Sequence, residues 1–175
     1  VLRETVFGEI DEDEKAIALM RSQSAIDGGL GRADQWAGWR RALSRRMMRA
    51  QEYAVAYDLA SRHQLVEGSS FADLEWLSGY LALRFLNEPE LALDHFQRLR
   101  AAVATPISLG RAGYWIGRAQ EALGDGDAAQ IAYEEGAAHQ TSFYGLLAAE
   151  KAGLPTDPAL AGTETFPDWR GAPFT

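Results

Sequence analysis

An all-α fold, built as a superhelical α-solenoid of antiparallel, tetratricopeptide-like helix pairs, is predicted by three observations. Apolar residues recur at spacings of three and four, and nowhere do β-branched and aromatic residues alternate over a strand length. Breakers and caps punctuate the chain at helix-length intervals. Ring side chains recur at Tyr57, Phe96 and Tyr133, about 39 and 37 residues apart, within the range of helical-pair repeats. Each ring follows a small residue pair or its equivalent: Tyr53-Ala54, Leu91-Ala92, Ala128-Ala129. Small residues let two helices approach, and the ring fills the gap to the next pair, so three degenerate pairs with a helix at each end are expected.

The elements follow in order. Asp13 to Ala25 reads as a first helix, with Ile17, Met20 and Ser24 on one face and the acidic run Asp11 to Glu14 at the positive end of its dipole. Gly28-Gly29-Leu30-Gly31 ends it. Ala33 to Met48 is the second, with Trp36, Trp39, Leu43 and Met47 as its core stripe. Gln51 to His63 is the third. Ser70, with Asp73 three residues on, is the expected cap of a fourth helix running to about Leu86. Asn87-Glu88-Pro89-Glu90 stops that helix and starts another, with Asn as cap and Pro in the first turn. Thr105-Pro106 repeats the device before Ile107 to Leu123. Gly124 terminates, Asp125 or Asp127 caps a helix reaching His139, and Thr141 or Ser142 caps a last one ending near Gly153-Leu154-Pro155. Residues 1-155 thus form the scaffold, and 156-175 a Pro- and Gly-containing tail or linker.

Composition narrows the function. A net charge of -8 and a pI near 4.9 argue against a general nucleic-acid binder, which needs excess Lys and Arg. No apolar run reaches the roughly 20 residues of a membrane span. The first residues lack a signal peptide's basic start and apolar stretch, and the chain reads as a mature protein or a fragment. With no Cys there are no disulfides, thiolate zinc sites or thiol nucleophiles.

Two stretches go beyond generic repeats. One is Phe71 to Val103 followed by Thr105-Pro106-Ile107-Ser108; it pairs Glu75-Trp76-Leu77-Ser78-Gly79 with Leu83-Arg84-Phe85-Leu86. The other is Arg111 to Pro155, with Tyr114-Trp115-Ile116-Gly117-Arg118-Ala119 and Ser142-Phe143-Tyr144-Gly145-Leu146-Leu147-Ala148-Ala149. Together they resemble the α-superhelical region of soluble lytic murein transglycosylases, over about Ala33 to Pro155. The resemblance implies a ring- or U-shaped helical region in the periplasm. It would support a separate lysozyme-like domain that cleaves peptidoglycan between N-acetylmuramic acid and N-acetylglucosamine, leaving a 1,6-anhydro product. The family's catalyst is a glutamate followed by serine. No Glu-Ser dipeptide occurs here, so no catalytic residue carries over. The implied partners are glycan strands and that missing domain. No cofactor is implied, and this stretch alone is expected to be inactive. The rival reading is a tetratricopeptide-like adaptor that holds a peptide or protein in its groove.

Candidate site residues are few. Arg40, Arg41, Arg45, Arg46 and Arg49 are the one basic concentration, and Arg41, Arg45 and Arg49 share a stripe. That stripe is the candidate contact for glycan or the carboxylates of stem peptides, against the plainer reading of a solvated face. Glu134-Glu135 and Asp11 to Glu14 read as solvated faces. His63, His95 and His139 lie far apart in sequence and lack metal-ligand spacing. Trp36, Trp39, Trp76 and Trp115 read as packing between helices, with sugar stacking as the alternative. Trp169 lies in the tail.

Overall fold

The computed structural model describes residues 13–24, 33–162 and 170. Within these residues the chain is all-helical and has no strand. Eight α-helices follow one another: α1 (Asp13–Ser24), α2 (Ala33–Arg49), α3 (Tyr53–Ser61), α4 (Gly68–Leu81), α5 (Pro89–Ala102), α6 (Pro106–Leu123), α7 (Gly126–Ala137) and α8 (Phe143–Ala152). A π-helical turn, Ala82–Leu86, continues α4, and a single 3-10 turn, Pro158–Ala161, follows α8. The Gly28 to Gly31 terminator, Trp169 and most of the tail lie outside the described residues.

Each helix packs on the next. In addition, α2 packs on α4, and α6 on α8. The core falls into two adjoining parts. One gathers Met20, Leu43, Met47, Leu59, Leu74, Leu77 and Leu81; the other gathers Phe96, Leu99, Trp115, Tyr133 and Ala148. Both lean on α4, which is buried nearly all round. Each large apolar side chain so enclosed contributes about 1.5–3 kcal/mol.

Glycines set how closely the helices approach. A Cβ on Gly79 would lie 2.6 Å from Phe96 Cε1, and one on Gly117 would overlap the Tyr133 ring. The rings expected at the repeat positions therefore sit on glycines of the preceding helix, in α4–α5 and again in α6–α7. Gly113 and Gly136 bring α6 and α7 almost into backbone contact, since a Cβ on Gly113 would lie 2.6 Å from Gly136 Cα. Tyr57 departs from this scheme: its hydroxyl bonds to His95 on α5 instead.

Local signals at the later helix starts hold. The Thr105 hydroxyl accepts from Ser108 N–H, Asp125 (rather than Asp127) accepts from Ala128 N–H at 2.9 Å, and Ser142 accepts from Gly145 N–H at 3.1 Å. Gly124 and Gly153 close α6 and α8 in the left-handed region, at φ 82° and 68°. Two expected caps differ. Helix α4 begins at Gly68 with Glu67 ahead of it and no side-chain cap, so Ser70 and Asp73 lie inside the helix. Asn87 takes the left-handed conformation, φ 58°, and closes the π turn, leaving Glu88 to precede Pro89.

The core stripe of α2 is rotated from the expected one. Ala37, Arg40, Leu43, Ser44 and Met47 are buried, while Trp36 and Trp39 are only half-buried. The reason is polar. Arg40 is 4% exposed, and its guanidinium donates to the carbonyls of Leu59 (2.7 Å) and Met20 (3.2 Å). The guanidinium thus ties α2 to backbone carbonyls on α3 and α1 and meets its own buried donors there. Burial outweighs the nearby Asp58 and lowers the Arg40 pKa to about 10, which leaves it a cation at neutral pH.

Candidate functional site

The most concentrated polar chemistry lies between α3, α4 and α5. Glu75 on α4 is 4% exposed, with its carboxylate surrounded by donors. His63 Nε2 is 3.1 Å from Oε1; His95 Nδ1 is 2.6 Å and Arg98 Nε 3.1 Å from Oε2. Tyr57 Oη lies 2.9 Å from His95 Nε2. Partners assign the protons. The Leu65 N–H donates to His63 Nδ1 at 3.0 Å, so His63 carries its proton on Nε2 and gives it to Glu75. At His95 two arrangements compete, because Arg98 Nη2 is 2.7 Å from the same Nδ1 that faces Glu75. An ionised Glu75 decides it: Nδ1–H donates to the carboxylate, and Nε2 accepts from the Tyr57 hydroxyl.

Burial alone would push the Glu75 carboxyl up. The bonds from His63 and His95, with the Arg98 charge alongside, outweigh it and hold the group at about 2. Tyr57, His95 and Glu75 thus form a hydroxyl–imidazole–carboxylate chain. Burial raises the pKa of the hydroxyl at its end above the ordinary tyrosine value. Among the described residues no three His, Cys, Asp or Glu side chains are placed to hold a metal. The arrangement ties three helices together through one buried carboxylate.

The arginine stripe is divided by the structure. Arg41 is paired with Asp73 on α4, whose other oxygen is 3.8 Å from Arg111 on α6. Asp73 therefore bridges three helices beside an open hollow of about 320 Å³ that Thr105, Ser108 and Arg111 also line. Arg45 and Arg49 are exposed near the end of α2. Glu134 and Glu135 are exposed on α7, the latter 4.0 Å from Arg100. Asp13 opens α1 and Glu14 is exposed, while Asp11 and Glu12 lie outside what is described. His139 sits in the turn after α7, away from the other two histidines.

Trp76, Tyr80 and Trp115 form a continuous seam of ring contacts that reaches Phe85 and Tyr53 on one side and Tyr114 and Tyr144 on the other. Centroid distances run from 4.2 to 6.2 Å, in the range of favourable stacked and edge contacts. Trp115 is 7% exposed, so its faces meet other rings; Trp76 is half-buried beneath the Arg111 guanidinium. Packing between helices is their main role.

Comparison of the chain with protein-family models, with curated proteins and with solved structures finds no match.

The Ser-Phe-Tyr-Gly helix start is explained by local geometry. Ser142 donates from Oγ to the His139 carbonyl and receives Gly145 N–H, while a Cβ on Gly145 would land on that same carbonyl oxygen. Gly110 on α6 then fits against Ser142 Oγ, at 2.6 Å from the position of its missing Cβ. The Ser142 cap and the missing Cβ at Gly145 and Gly110 together let α8 turn tightly onto α6. The Glu75 cluster is what a reading of sequence spacing misses, because its members are 12 to 23 residues from Glu75. The usable signal was Glu75 itself, set between Leu74 and Trp76-Leu77 in α4, since a buried Glu needs partners.

Proposed function

We propose that the chain is a non-catalytic scaffold segment of a periplasmic soluble lytic transglycosylase, with its helix pairs stacked as an α-solenoid. Helices α2, α4, α6 and α8 would form one layer of that solenoid and α3, α5 and α7 the other. The observation that carries the reading is the resemblance over Phe71 to Pro155, above all the Ser142-Phe143-Tyr144-Gly145 helix start. The recurrence of glycine under ring, Gly79 with Phe96 and Gly117 with Tyr133, supports the stacked-pair arrangement. The glycan-cleaving glutamate would belong to a lysozyme-like domain joined to this scaffold. The test is muropeptide analysis by mass spectrometry. Sacculi treated with the full-length gene product should release 1,6-anhydro-muropeptides, and this chain alone should release none. No release by the full-length product sinks the reading, and robust release by this chain sinks the non-catalytic part.

In this role the exposed arginines contact peptidoglycan carboxylates. Because Arg41 is engaged by Asp73, the contact falls on Arg45 and Arg49. The double variant Arg45→Gln, Arg49→Gln should weaken sacculus binding roughly fivefold at low ionic strength, the worth of about 1 kcal/mol of exposed pairing, and the difference should vanish in high salt. Equal binding by both forms in a co-sedimentation assay leaves a solvated face. The adaptor reading has its own support in Ile107, Ile131 and Phe143, which are 69%, 60% and 69% exposed. It predicts retention of a protein partner and no affinity for sacculi.

A further inference from the structure

Arg111 on α6 carries a guanidinium whose donors the chain leaves largely unmet. Its side chain is 21% exposed, and its Nε is buried without a hydrogen-bond partner among the described residues. Nη2 stands 3.8 Å from Asp73 Oδ1, beyond hydrogen-bond reach. A ring holds the group instead: it lies over Trp76, 5.4 Å from the centroid. Arg40 shows the usual outcome for a guanidinium taken out of water, with Nη1 and Nη2 on backbone carbonyls.

The place it occupies is concave. Arg111 lines the hollow of about 320 Å³ between the starts of α4 and α6 and the end of α5. A second hollow, of about 200 Å³, lies between α2 and α4 and contains Arg41. Ser69 and Asp73 line both, so the two adjoin along α4. On the wall of the larger one, the Ser108 hydroxyl accepts from Thr105 Oγ1 at 3.0 Å, which leaves its own proton to give. Ala72, Ala102 and Val103 add an apolar stretch to that wall.

We propose that these adjoining hollows bind the carboxylate end of a peptide chain, with Arg111 gripping the carboxylate and Ser108 donating to it. Charge sets the head of the ligand. Among the described residues lining the two hollows, Arg41, Arg111 and Asp73 are charged, which leaves one positive charge unmatched in a chain of net charge -8. A carboxylate brings one negative charge and two oxygens that suit a guanidinium fork. A phosphate would bring close to a second charge, which Asp73 repels. Shape sets the body. The larger hollow has room beyond a carboxylate, and its apolar wall suits a small apolar side chain. The smaller one, lined by Ala37, Gly38 and Ser69, leaves space for the residue before it. The site is separate from the Arg45 and Arg49 face and does not depend on the cell-wall reading.

Titration of the ¹⁵N-labelled chain with N-acetyl-trialanine, followed by NMR, tests the site. The peptide acid should shift the backbone amides of Ser69, Ser108 and Arg111, and the same peptide ending in an amide should bind at least about tenfold more weakly. Arg111→Gln should weaken binding of the acid by a similar factor. Asp73→Asn, which removes the competing carboxylate, should tighten it about threefold. Equal affinity for acid and amide, unchanged binding by Arg111→Gln, or inorganic phosphate binding as tightly as the peptide acid overturns the proposal. Should Arg111→Gln not fold, Ser108→Ala decides: binding weaker by about threefold supports the site, and unchanged binding overturns it. The double variant Arg45→Gln, Arg49→Gln should bind the peptide as the native chain does, whatever it does to sacculus binding. Weaker peptide binding by that variant would place the carboxylate on the outer face of α2 and overturn the site.

Discussion

Gly145→Ala should destabilise the chain by about 3 kcal/mol or more, the upper range for overpacking, because the added carbon meets backbone and not a movable side chain. Its Cβ would fall on the His139 carbonyl, which accepts from Ser142 N–H and Ser142 Oγ. The clash is relieved only by lifting the first turn of α8. That breaks the Ser142 cap and draws α8 away from Gly110 on α6. Gly126→Ala is the control. Gly126 is also helical, but nothing lies within 4 Å of its Cβ position, so the substitution should be neutral or stabilising by about 0.5 kcal/mol. Thermal unfolding separates the two, with a fall of roughly 10 °C expected for the first. If both variants melt together, the tight α8 turn is not the reason for the glycine.

Short-range chemistry was legible in the sequence, and long-range polar pairing was not. Thr105-Pro106, Gly124-Asp125 and Ser142 act within one turn of themselves, so their caps can be read directly. The ring at Tyr133 was readable from its place in the series with Tyr57 and Phe96, whereas its seat on Gly117 was not. Arg40 was not. Apolar periodicity ranks Trp36 and Trp39 above an arginine, and the two carbonyls that reverse the ranking belong to Leu59 and Met20, about 20 residues away. His63 and His95 failed in the same way: one in the turn after α3 and the other within α5, each is unremarkable locally, and only the packing around Glu75 gives them a role. Of the arginine stripe, helical spacing put Arg45 and Arg49 on an outer face, whereas the Asp73 partner of Arg41 comes from another helix.

The largest pH effect should come from Glu75. Its carboxyl is held at about 2 in the folded chain against an ordinary value of 4.5. A depressed carboxyl stabilises the fold fully above its unfolded value and loses that contribution as pH falls toward the folded one. Stability should therefore hold above about pH 4.5 and decline by on the order of 3 kcal/mol as pH falls toward 2. Removing the carboxylate tests the same interaction at neutral pH. Glu75→Ala strands His63, His95 and Arg98 around a cavity and should cost about 3–5 kcal/mol. Glu75→Gln keeps an oxygen for His63 but no charge for Arg98, so it should cost about 1–3 kcal/mol. Its stability should lack the decline between pH 4.5 and 2 that the native chain shows. Urea unfolding at a series of pH values measures both effects. A native chain whose pH profile parallels that of Glu75→Gln would mean that the carboxylate is not the charged hub joining α3, α4 and α5. The three helices would then be held by Leu59, Leu74, Phe96 and their apolar neighbours alone.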